Sequence, residues 1–376
     1  MTYKEKFSLK DQLFNRTKLE KIAQEIKRVH PVFDDAQFVD ITQNAFPSLE
    51  LKERISLVSQ SLYEHLPKPF EDAVAILLNA LPEPCNPALS DNDFGDFIYA
   101  AYGQFIEVYG CNDRNLDLSL QALAQITTRF SMEFSIRAFI NKYPEETFEK
   151  IQEWASHEHY HVRRLASEGS RPKLPWGKKI STPPDKAILI LNTLHADNTR
   201  FVTRSVANHL NDLSKINPDL VFEYLFQWKK EKKQNPSEMN FITRHALRTL
   251  IKKGDKKALA FIGVTQEMKA QLEVLEFPER VKMNDSFQFL FQLTAQEKCT
   301  VLADYGIHFQ NRSGVMNGIK IFKIKQLTLE KNEVVLLGKK HPMIQFMSTR
   351  TLYPGKHKFV LQINGDAVWS EEFELV

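Results

Sequence analysis

The sequence repeats one short pattern three times, in His161-Val-Arg-Arg-Leu-Ala-Ser-Glu168, Phe201-Val-Thr-Arg-Ser-Val-Ala-Asn208 and Phe241-Ile-Thr-Arg-His-Ala-Leu-Arg248. The arginine at the fourth position of each stretch (Arg164, Arg204 or Arg244) stands 40 residues from the next. A period of this length with helical apolar spacing is typical of HEAT-like helix pairs stacked into a solenoid. Because the same helix of each pair lies on the same side of such a stack, the three arginines are predicted to line one common surface.

A row of arginines on one surface suits phosphate groups, because the planar guanidinium group donates paired hydrogen bonds to phosphate oxygens. The charge distribution points the same way. Residues 157–256 contain 19 Lys and Arg against 10 Asp and Glu, whereas residues 34–117 contain 4 against 15. The sequence therefore predicts a nucleic-acid groove on the basic half and a solvated back or end on the acidic half. A solvated face without a ligand is the alternative for the basic half.

Helical apolar spacing extends on both sides of these stretches. The repeats are predicted as the helix pairs 145–156 with 160–169, 184–196 with 199–214, and 218–232 with 238–253. Earlier helices are predicted at residues 9–30, 35–45, 51–65, 70–80, 94–109, 116–128 and 131–142.

A different pattern follows residue 265. Segments such as Phe287-Gln-Phe-Leu-Phe-Gln-Leu293 alternate with period two, which indicates short antiparallel strands. Turn signals separate the strands, namely Asn284-Asp285, Asn317-Gly318, Pro354-Gly355 and Asn364-Gly365. The predicted fold is mostly α, with a HEAT-like helical repeat solenoid over residues 1–265 and a carboxy-terminal immunoglobulin-like β-sandwich over residues 266–376.

Several functional classes find no support in the sequence. Cys85, Cys111 and Cys299 are too few and too scattered for a disulfide framework or a zinc site. The motifs of nucleotide hydrolases, dinucleotide-dependent enzymes and serine hydrolases are missing. The run His157-Glu-His-Tyr-His161 suits the polar start of a helix better than a metal site. With neither a signal peptide nor an apolar membrane span in the sequence, the expectation is a cytoplasmic protein without a membrane partner.

Carboxylates lie among the predicted phosphate-binding arginines. Residues four apart share a helix face, so Glu168 lies with Arg164, and Asp212 lies eight residues after Arg204 on the face of that arginine. Because carboxylates repel phosphate, their presence favours a cationic ligand such as an oxocarbenium-like sugar or a positively charged alkylated base.

The same spacing adds further candidates and leaves alternatives open. Glu133 stands four residues before Arg137, Asn208 four after Arg204, and Arg248 four after Arg244. Glu133 with Arg137, and Glu168 with Arg164, have the alternative of helical ion pairs worth roughly 0.2–0.5 kcal/mol. Asp212 has the alternative of a helix cap.

The tryptophans separate by their surroundings. Trp176 lies in the rigid, basic loop Arg171-Pro-Lys-Leu-Pro-Trp-Gly-Lys-Lys179 and is the candidate for a ligand contact. Trp154 and Trp228 lie in apolar helical runs and are predicted to be core residues.

Three segments carry a family resemblance: Phe130-Ser-Met-Glu-Phe-Ser-Ile-Arg-Ala-Phe139, Val162-Arg-Arg-Leu-Ala-Ser-Glu-Gly-Ser-Arg-Pro-Lys-Leu-Pro-Trp176 and Ser205-Val-Ala-Asn-His-Leu-Asn-Asp-Leu-Ser-Lys215. They closely resemble the AlkC branch of the AlkC/AlkD alkylpurine DNA glycosylases. The likeness covers nearly the whole chain, including Phe7-Ser-Leu-Lys-Asp-Gln-Leu-Phe14. Some members of this branch also carry an immunoglobulin-like carboxy-terminal domain.

The resemblance implies a monofunctional DNA glycosylase of base excision repair that excises cationic N3-methylated bases, 3-methyladenine and also 3-methylcytosine, from alkylated double-stranded DNA. Such enzymes grip the DNA backbone without base flipping and need no cofactor. Carried onto this sequence, Glu133 and Glu168 lie beside the lesion sugar, with Trp176 nearby, and Asp212 positions the water or stabilises the sugar cation. The expected phosphate and DNA contacts are Arg164, Arg171, Arg204, Asn208, Arg244 and Arg248.

The β-sandwich would act as a second DNA clamp, and the repeat geometry predicts a monomer. Two other classes remain open on the sequence alone. One is a HEAT-repeat nucleic-acid binder without catalytic activity, and the other is a protein-interaction scaffold.

Overall fold

The computed structural model of the protein describes residues 8–86, 88, 94–180, 183–264, 268–347 and 350–376. Helices make up the first part of the chain and strands the last. The chain divides into two compact units, Met1–Ala246 and Leu247–Val376. The boundary predicted between residues 265 and 266 lies outside the described residues and stays a prediction.

Most helices before the repeats agree with the apolar spacing, but those predicted at 9–30, 94–109 and 131–142 differ. The helices in this part of the chain are α1 (Leu9–Leu13), α2 (Arg16–Val29), α3 (Asp35–Ala45), α4 (Leu51–His65), α5 (Phe70–Ala80), α6 (Ala100–Gly110), α7 (Leu116–Thr127) and α8 (Ile136–Lys142), with short 3₁₀ turns at Phe46–Ser48 and Phe97–Tyr99. The predicted helix 9–30 is divided because the Asn15 side chain accepts a hydrogen bond from the Lys18 amide at 3.0 Å and caps α2. The helix predicted at 94–109 begins only at Ala100, after a 3₁₀ turn. The predicted helix 131–142 begins only at Ile136, after a turn that contains Glu133.

The predicted helix pairs are confirmed. They are α9 (Pro144–Trp154) with α10 (Tyr160–Gly169), α11 (Pro184–Leu194) with α12 (Arg200–Leu213), and α13 (Pro218–Glu231) with α14 (Pro236–Lys252). The His159 side chain accepts a hydrogen bond from the His161 amide and caps α10, as expected for a polar helix start. Trp154 and Trp228 are buried in the core, as predicted.

The second helices of successive pairs lie side by side. Side chains of α12 bind backbone carbonyls on both neighbours: the Asn211 amide donates to the Ala246 carbonyl of α14 at 2.8 Å, and His209 Nδ1 contacts the Ser167 carbonyl of α10 at 3.0 Å. As a consequence α12 is buried along most of its length. The stack thus brings α10, α12 and α14 into one layer, which is the layer that carries the repeated arginines.

The second unit is a β-sandwich preceded by α15 (Lys256–Phe261). Its strands are β1 (Ala270–Glu276), β2 (Arg280–Val281), β3 (Ser286–Ala295), β4 (Cys299–Gln310), β5 (Met316–Leu329), β6 (Val334–Pro342), β7 (Phe346–Met347), β8 (Arg350–Thr351), β9 (Gly355–Ile363) and β10 (Asp366–Leu375). In the described part of the chain, a sheet of order β1-β3-β6 faces a sheet of order β2-β10-β9-β4-β5. Phe287, Phe289 and Phe291 of β3 pack with Phe359 and Phe373 of the other sheet to form the core. The immunoglobulin-like architecture is therefore confirmed.

Turn chemistry predicts some sandwich connections and not others. Asn364 and Gly365 have left-handed backbones, with φ of 52° and 87°, and join β9 to β10 as predicted. Asn317-Gly318 lies inside β5 instead of between strands, so that part of the prediction is wrong. The connection from β4 to β5 forms earlier, at Asn311, whose side chain accepts from the amide of Val315 at 3.0 Å.

Two buried groups in the sandwich respond to acid in opposite directions. Burial, helped by the charge of Arg350, lowers the pKa of His341 from 6.5 to about 4. Burial raises the pKa of Asp304 from 3.8 to about 6, against the charges of Lys323 and Lys252. As the pH falls from about 6.5 to 4, the unfolded chain takes up the histidine proton first, so His341 makes the folded state less stable. Asp304 has the opposite effect, because the folded state takes up the carboxyl proton first.

Asp304→Asn is therefore expected to make the sandwich more sensitive to acid. At pH 6.5 the variant should be more stable than the wild type, because it lacks a buried carboxylate, and this advantage should shrink by about 2 kcal/mol on going to pH 4.5. The difference in stability between variant and wild type is measured at each pH by hydrogen exchange of peptides from β4 and β9. Asp366→Asn, at an exposed position of β10, is the matched control. The prediction would be contradicted if the stability difference between variant and wild type were the same at pH 6.5 and at pH 4.5.

Candidate active site

Arg171 joins the ends of α10 and α12 by binding two carboxylates. Its Nε and one terminal nitrogen donate to Asp212 Oδ2 at 3.0 and 2.9 Å. Its other terminal nitrogen donates to Glu168 Oε1 at 2.6 Å. Glu168 and Asp212 lie in the last turns of their helices, and each residue is only 5% exposed. The stacking of neighbouring repeats therefore places the two carboxylates on one guanidinium group.

Arg164 connects a third carboxylate to this pair. Its guanidinium donates to Glu133 Oε2 at 2.8 Å and to Ser131 Oγ at 3.0 Å, while Ser131 Oγ donates to the same Glu133 oxygen at 2.9 Å. On its other side Arg164 lies 3.8 Å from Glu168 Oε2, and it stacks over the ring of Phe201 at 4.7 Å. Glu133, Glu168, Asp212, Arg164 and Arg171 thus form one connected set, called here the carboxylate network.

The electrostatics of the carboxylate network favour the ionised form of Glu168. Burial alone would raise the pKa of Glu168, but the charges of Arg164 and Arg171 outweigh it and hold the pKa below its usual value. The Ser205 hydroxyl contributes by donating to Glu168 Oε2 at 2.6 Å. The carboxylates in turn raise the pKa values of Arg164 and Arg171 despite the burial of both guanidinium groups. At neutral pH the site therefore presents fixed negative charge held in place by fixed positive charge.

Trp176 lies on a loop whose two ends are held by hydrogen bonds to one arginine. Arg137 of α8 donates to the carbonyls of Gly169 and Arg171, both at 2.8 Å, and to the carbonyl of Lys178. Burial, with a smaller contribution from the neighbouring Arg171, lowers the pKa of Arg137 to about 10. The Trp176 residue itself has a left-handed backbone with φ of 65° and is 63% exposed. Trp176 is thus an exposed residue on an ordered loop, and that loop begins at Arg171, which binds Glu168 and Asp212.

The helical ion pair of Glu133 with Arg137, which the sequence left open, is not the arrangement found. Glu133 lies in the turn before α8 and accepts from Arg164, whereas Arg137 serves the carbonyls of the Trp176 loop. Asp212 does not cap α12, because its oxygens bind Arg171 and Lys215. Arg164 and Glu168 do approach each other, although at 3.8 Å the contact is long.

The repeated arginines occupy the expected helices but have different surroundings. Arg164 is largely buried in the carboxylate network, and Arg204 and Arg244 are half-buried on α12 and α14. Arg244 Nε donates to Asn240 at 3.2 Å. Asn208 Oδ1 contacts His245 Nε2 at 2.8 Å, and Arg248 is half-buried one turn after Arg244. Contact of these side chains with DNA stays a prediction.

Several residues of the site were missed by reasoning from the sequence. Ser131 and Ser205 donate to carboxylates, and Phe201 lies under Arg164. Burial lowers the pKa of His209 to about 4, so its ring is neutral at pH 7. The signal for Ser205 and Phe201 was present, because both belong to the repeated stretch around Arg204. Ser131 had no comparable signal.

No group of three or more His, Cys, Asp or Glu side chains in the described part of the chain is placed to hold a metal ion. No helix within the same described ranges is long and apolar enough to cross a membrane.

Comparison with known proteins agrees with this fold. Residues 88–250, which contain the carboxylate network, match the family described as DNA alkylation repair enzyme. Residues 271–376 match the carboxy-terminal immunoglobulin-like domain of the protein YhaZ. Fold and site thus define a helical-repeat protein of the DNA alkylation repair class with an appended immunoglobulin-like domain.

Two relatives extend over the whole chain. YhaZ of Bacillus subtilis (strain 168) is 33% identical over 372 residues, which cover 97% of this chain and 98% of that protein. The alkylpurine DNA glycosylase AlkC of Pseudomonas fluorescens, solved bound to DNA containing an abasic site analogue, is 31% identical with a TM-score of 0.86, and the match covers 98% of this chain and 99% of that one. The chain belongs to the AlkC branch of the AlkC/AlkD HEAT-repeat alkylpurine DNA glycosylases.

Proposed function

We propose that this protein is a monofunctional DNA glycosylase that hydrolyses the N-glycosidic bond of cationic N3-alkylated bases, 3-methyladenine and also 3-methylcytosine, in double-stranded DNA. The observation that carries the proposal is the carboxylate network, in which Arg171 and Arg164 bind the carboxylates of Glu133, Glu168 and Asp212. The exposed Trp176 lies on the loop that begins at Arg171. The whole-chain similarity to AlkC solved with abasic DNA supports it, because an abasic site is what base excision leaves behind. We further propose that the protein acts as a monomer in the cytoplasm.

The chemistry of these lesions matches the groups present. An N3-alkylated base is already cationic, so when its glycosidic bond breaks the electron pair moves onto the base nitrogen and the base leaves neutral without a general acid. Positive charge then develops on the sugar, where fixed carboxylates stabilise it. Water forms the new bond to the anomeric carbon, and its proton passes to a carboxylate and then to solvent. This route forms no covalent Schiff base with the sugar and therefore needs no lysine nucleophile, so it is purely hydrolytic.

The burial of the carboxylates sets the proposed geometry. The side chains of Glu168 and Asp212 are 6% and 5% exposed and that of Glu133 is 17% exposed. Carboxylates with so little exposure can contact only those ligand atoms that lie directly against the protein surface. When the protein binds the backbone of a DNA duplex, the sugar lies in that position. The proposal therefore has the network act on the sugar while the base is not flipped into a pocket.

The experiment that tests the function is release of methylated bases from double-stranded DNA treated with a methylating agent. We expect free 3-methyladenine from the full-length protein and, in the same reaction, abasic sites without strand cleavage. Strand cleavage coupled to release would contradict the monofunctional route. No release by protein that still binds the DNA would overturn the proposal.

A second candidate function is a nucleic-acid binder of the same fold without catalysis. One specific observation favours it: Glu168 and Asp212 are both bound to Arg171, as buried structural carboxylates often are. The release experiment separates the two, because a binder retains DNA affinity and frees no base.

Arg204→Ala is expected to weaken DNA binding without changing the fold. If Arg204 contacts one phosphate, the variant should release about one counterion fewer on binding, so the slope of log affinity against log salt should flatten by about 0.9. Fluorescence anisotropy of labelled DNA over a salt series measures both effects. Arg16→Ala, which removes an exposed arginine of α2, is the control and should leave the slope unchanged. An unchanged slope for Arg204→Ala would remove it from the DNA contacts.

A further inference from the structure

A cleft of about 220 Å³ opens beside Trp176, between α4, the start of α6 and the turn that carries Glu133. Its walls are mainly apolar and aromatic, and include Ile55, Phe97, Phe130, Met132 and Trp176. Its polar lining residues include Ser56 and Gln104. The cleft is smaller than the roughly 300–1,000 Å³ typical of pockets for drug-sized ligands, which suits a small planar molecule.

The cleft is joined to the carboxylate network at two places. Ser131 lines the cleft and is hydrogen-bonded to both Glu133 and Arg164. Trp176 forms another wall, and its loop is held through the Arg171 carbonyl by the Arg137 guanidinium. A molecule formed at the network therefore has a short path into the cleft.

The charges at the rim argue against a nucleotide as the occupant. The two lysines of the lining are both engaged: Lys52 Nζ donates to the Trp176 carbonyl at 2.9 Å, and Lys178 pairs with Glu107. Glu107 also lines the cleft and would repel a phosphate group. A neutral aromatic base, by contrast, gains stacking on the aromatic walls without needing a cation.

We propose that this cleft binds the neutral purine base after its release, as a product site distinct from the carboxylate network. The inference rests on the proposed function, since it takes the released base to be that product. Binding of a free base at this site requires neither DNA nor catalysis, so it can be tested separately from the proposed function. The expected dissociation constant for so small a ligand is on the order of 1 mM.

Titration of the DNA-free, full-length protein with 3-methyladenine tests the product site directly. Trp176 is the exposed tryptophan, whereas Trp154 and Trp228 are buried and Trp369 is half-buried in the sandwich, so stacking in the cleft should quench the fluorescence of Trp176 in a saturable way. Ser56→Phe places a ring in the cleft from an exposed position of α4 and should abolish the saturable signal. Gln37→Phe, which adds the same ring at an exposed position of α3, should retain it.

Two further measurements distinguish the product site from the proposed function. Ser56→Phe should keep the wild-type rate constant of base excision in a single turnover, because the chemical step precedes occupation of the cleft. Free base should also leave the affinity for abasic DNA unchanged. Lack of saturable quenching in the wild type, or quenching that survives in Ser56→Phe, would overturn the product site even if excision is observed. Displacement of abasic DNA by free base would also overturn it, because the cleft would then belong to a base of the DNA.

Discussion

Asp212→Asn is expected to lower the rate constant of base excision by about 10²–10³-fold or more, the cost typical of removing one group that stabilises charge in a transition state. Asparagine has the size of aspartate and keeps an oxygen that can accept from Arg171, so the local geometry should persist. The negative charge, however, is lost. The measurement is release of 3-methyladenine under single-turnover conditions, with protein in excess over methylated DNA.

The matched control for Asp212→Asn is Asp219→Asn, which makes the same chemical change at an exposed position of α13. That variant should excise at the wild-type rate. Circular dichroism and the affinity for undamaged DNA should show that Asp212→Asn remains folded and binds. Full single-turnover activity of Asp212→Asn would exclude Asp212 from catalysis.

Arg171→Met is expected to lower the free energy of unfolding by about 3–5 kcal/mol, the range observed when one partner of a buried ion pair is removed. Methionine fills much of the space but leaves Glu168 and Asp212 without their shared guanidinium group. Both carboxylates are almost fully buried, so water cannot replace the lost hydrogen bonds without rearrangement. Denaturant unfolding of the full chain, followed by the circular dichroism of the helices, measures the effect.

Two comparisons make the Arg171 prediction specific. Arg114→Met removes an exposed arginine whose partner is Glu71, and as a surface ion pair it should cost at most about 1 kcal/mol. In the Arg171→Met background, Asp212→Asn should be less harmful than in the wild type or even stabilising, because it removes a buried charge that has lost its guanidinium partner. If Arg171→Met cost no more than Arg114→Met, the carboxylates would not depend on Arg171 for their burial.

The helical repeats could be predicted from the sequence because their signal is periodic and local. Apolar spacing, prolines at helix starts and the 40-residue period all act within one helix pair, so the pairs from α9 to α14 were placed within a few residues. The start of α8 was misplaced for a physical reason. The amide of Met132 donates to Thr127 Oγ1 at 3.2 Å and Glu133 is held by Arg164, so residues that have helical apolar spacing form a turn instead.

The sequence predicts the candidate site residues better than it predicts the side chains and carbonyls that they bind. The sequence selected Glu133, Glu168, Asp212 and Arg171, and the structure brings all four into one network. It could not show that Arg171 binds Asp212, because the two residues are 41 positions apart and meet only through the stacking of α10 on α12. The role of Arg137 was also inaccessible, since its partners are backbone carbonyls, which carry no signature in the side-chain sequence.

The hold of Arg137 on the Trp176 loop has a consequence for the rate at which the site is occupied. Because one guanidinium group fixes carbonyls at both ends of the loop, the loop loses its conformational entropy once, when the protein folds. A ligand that reaches Trp176 then meets a surface already in its final shape, and its association is limited by diffusion and orientation, with no waiting time for loop closure. Loosening the loop at Arg137 would slow that encounter and weaken binding without removing any atom that touches the ligand.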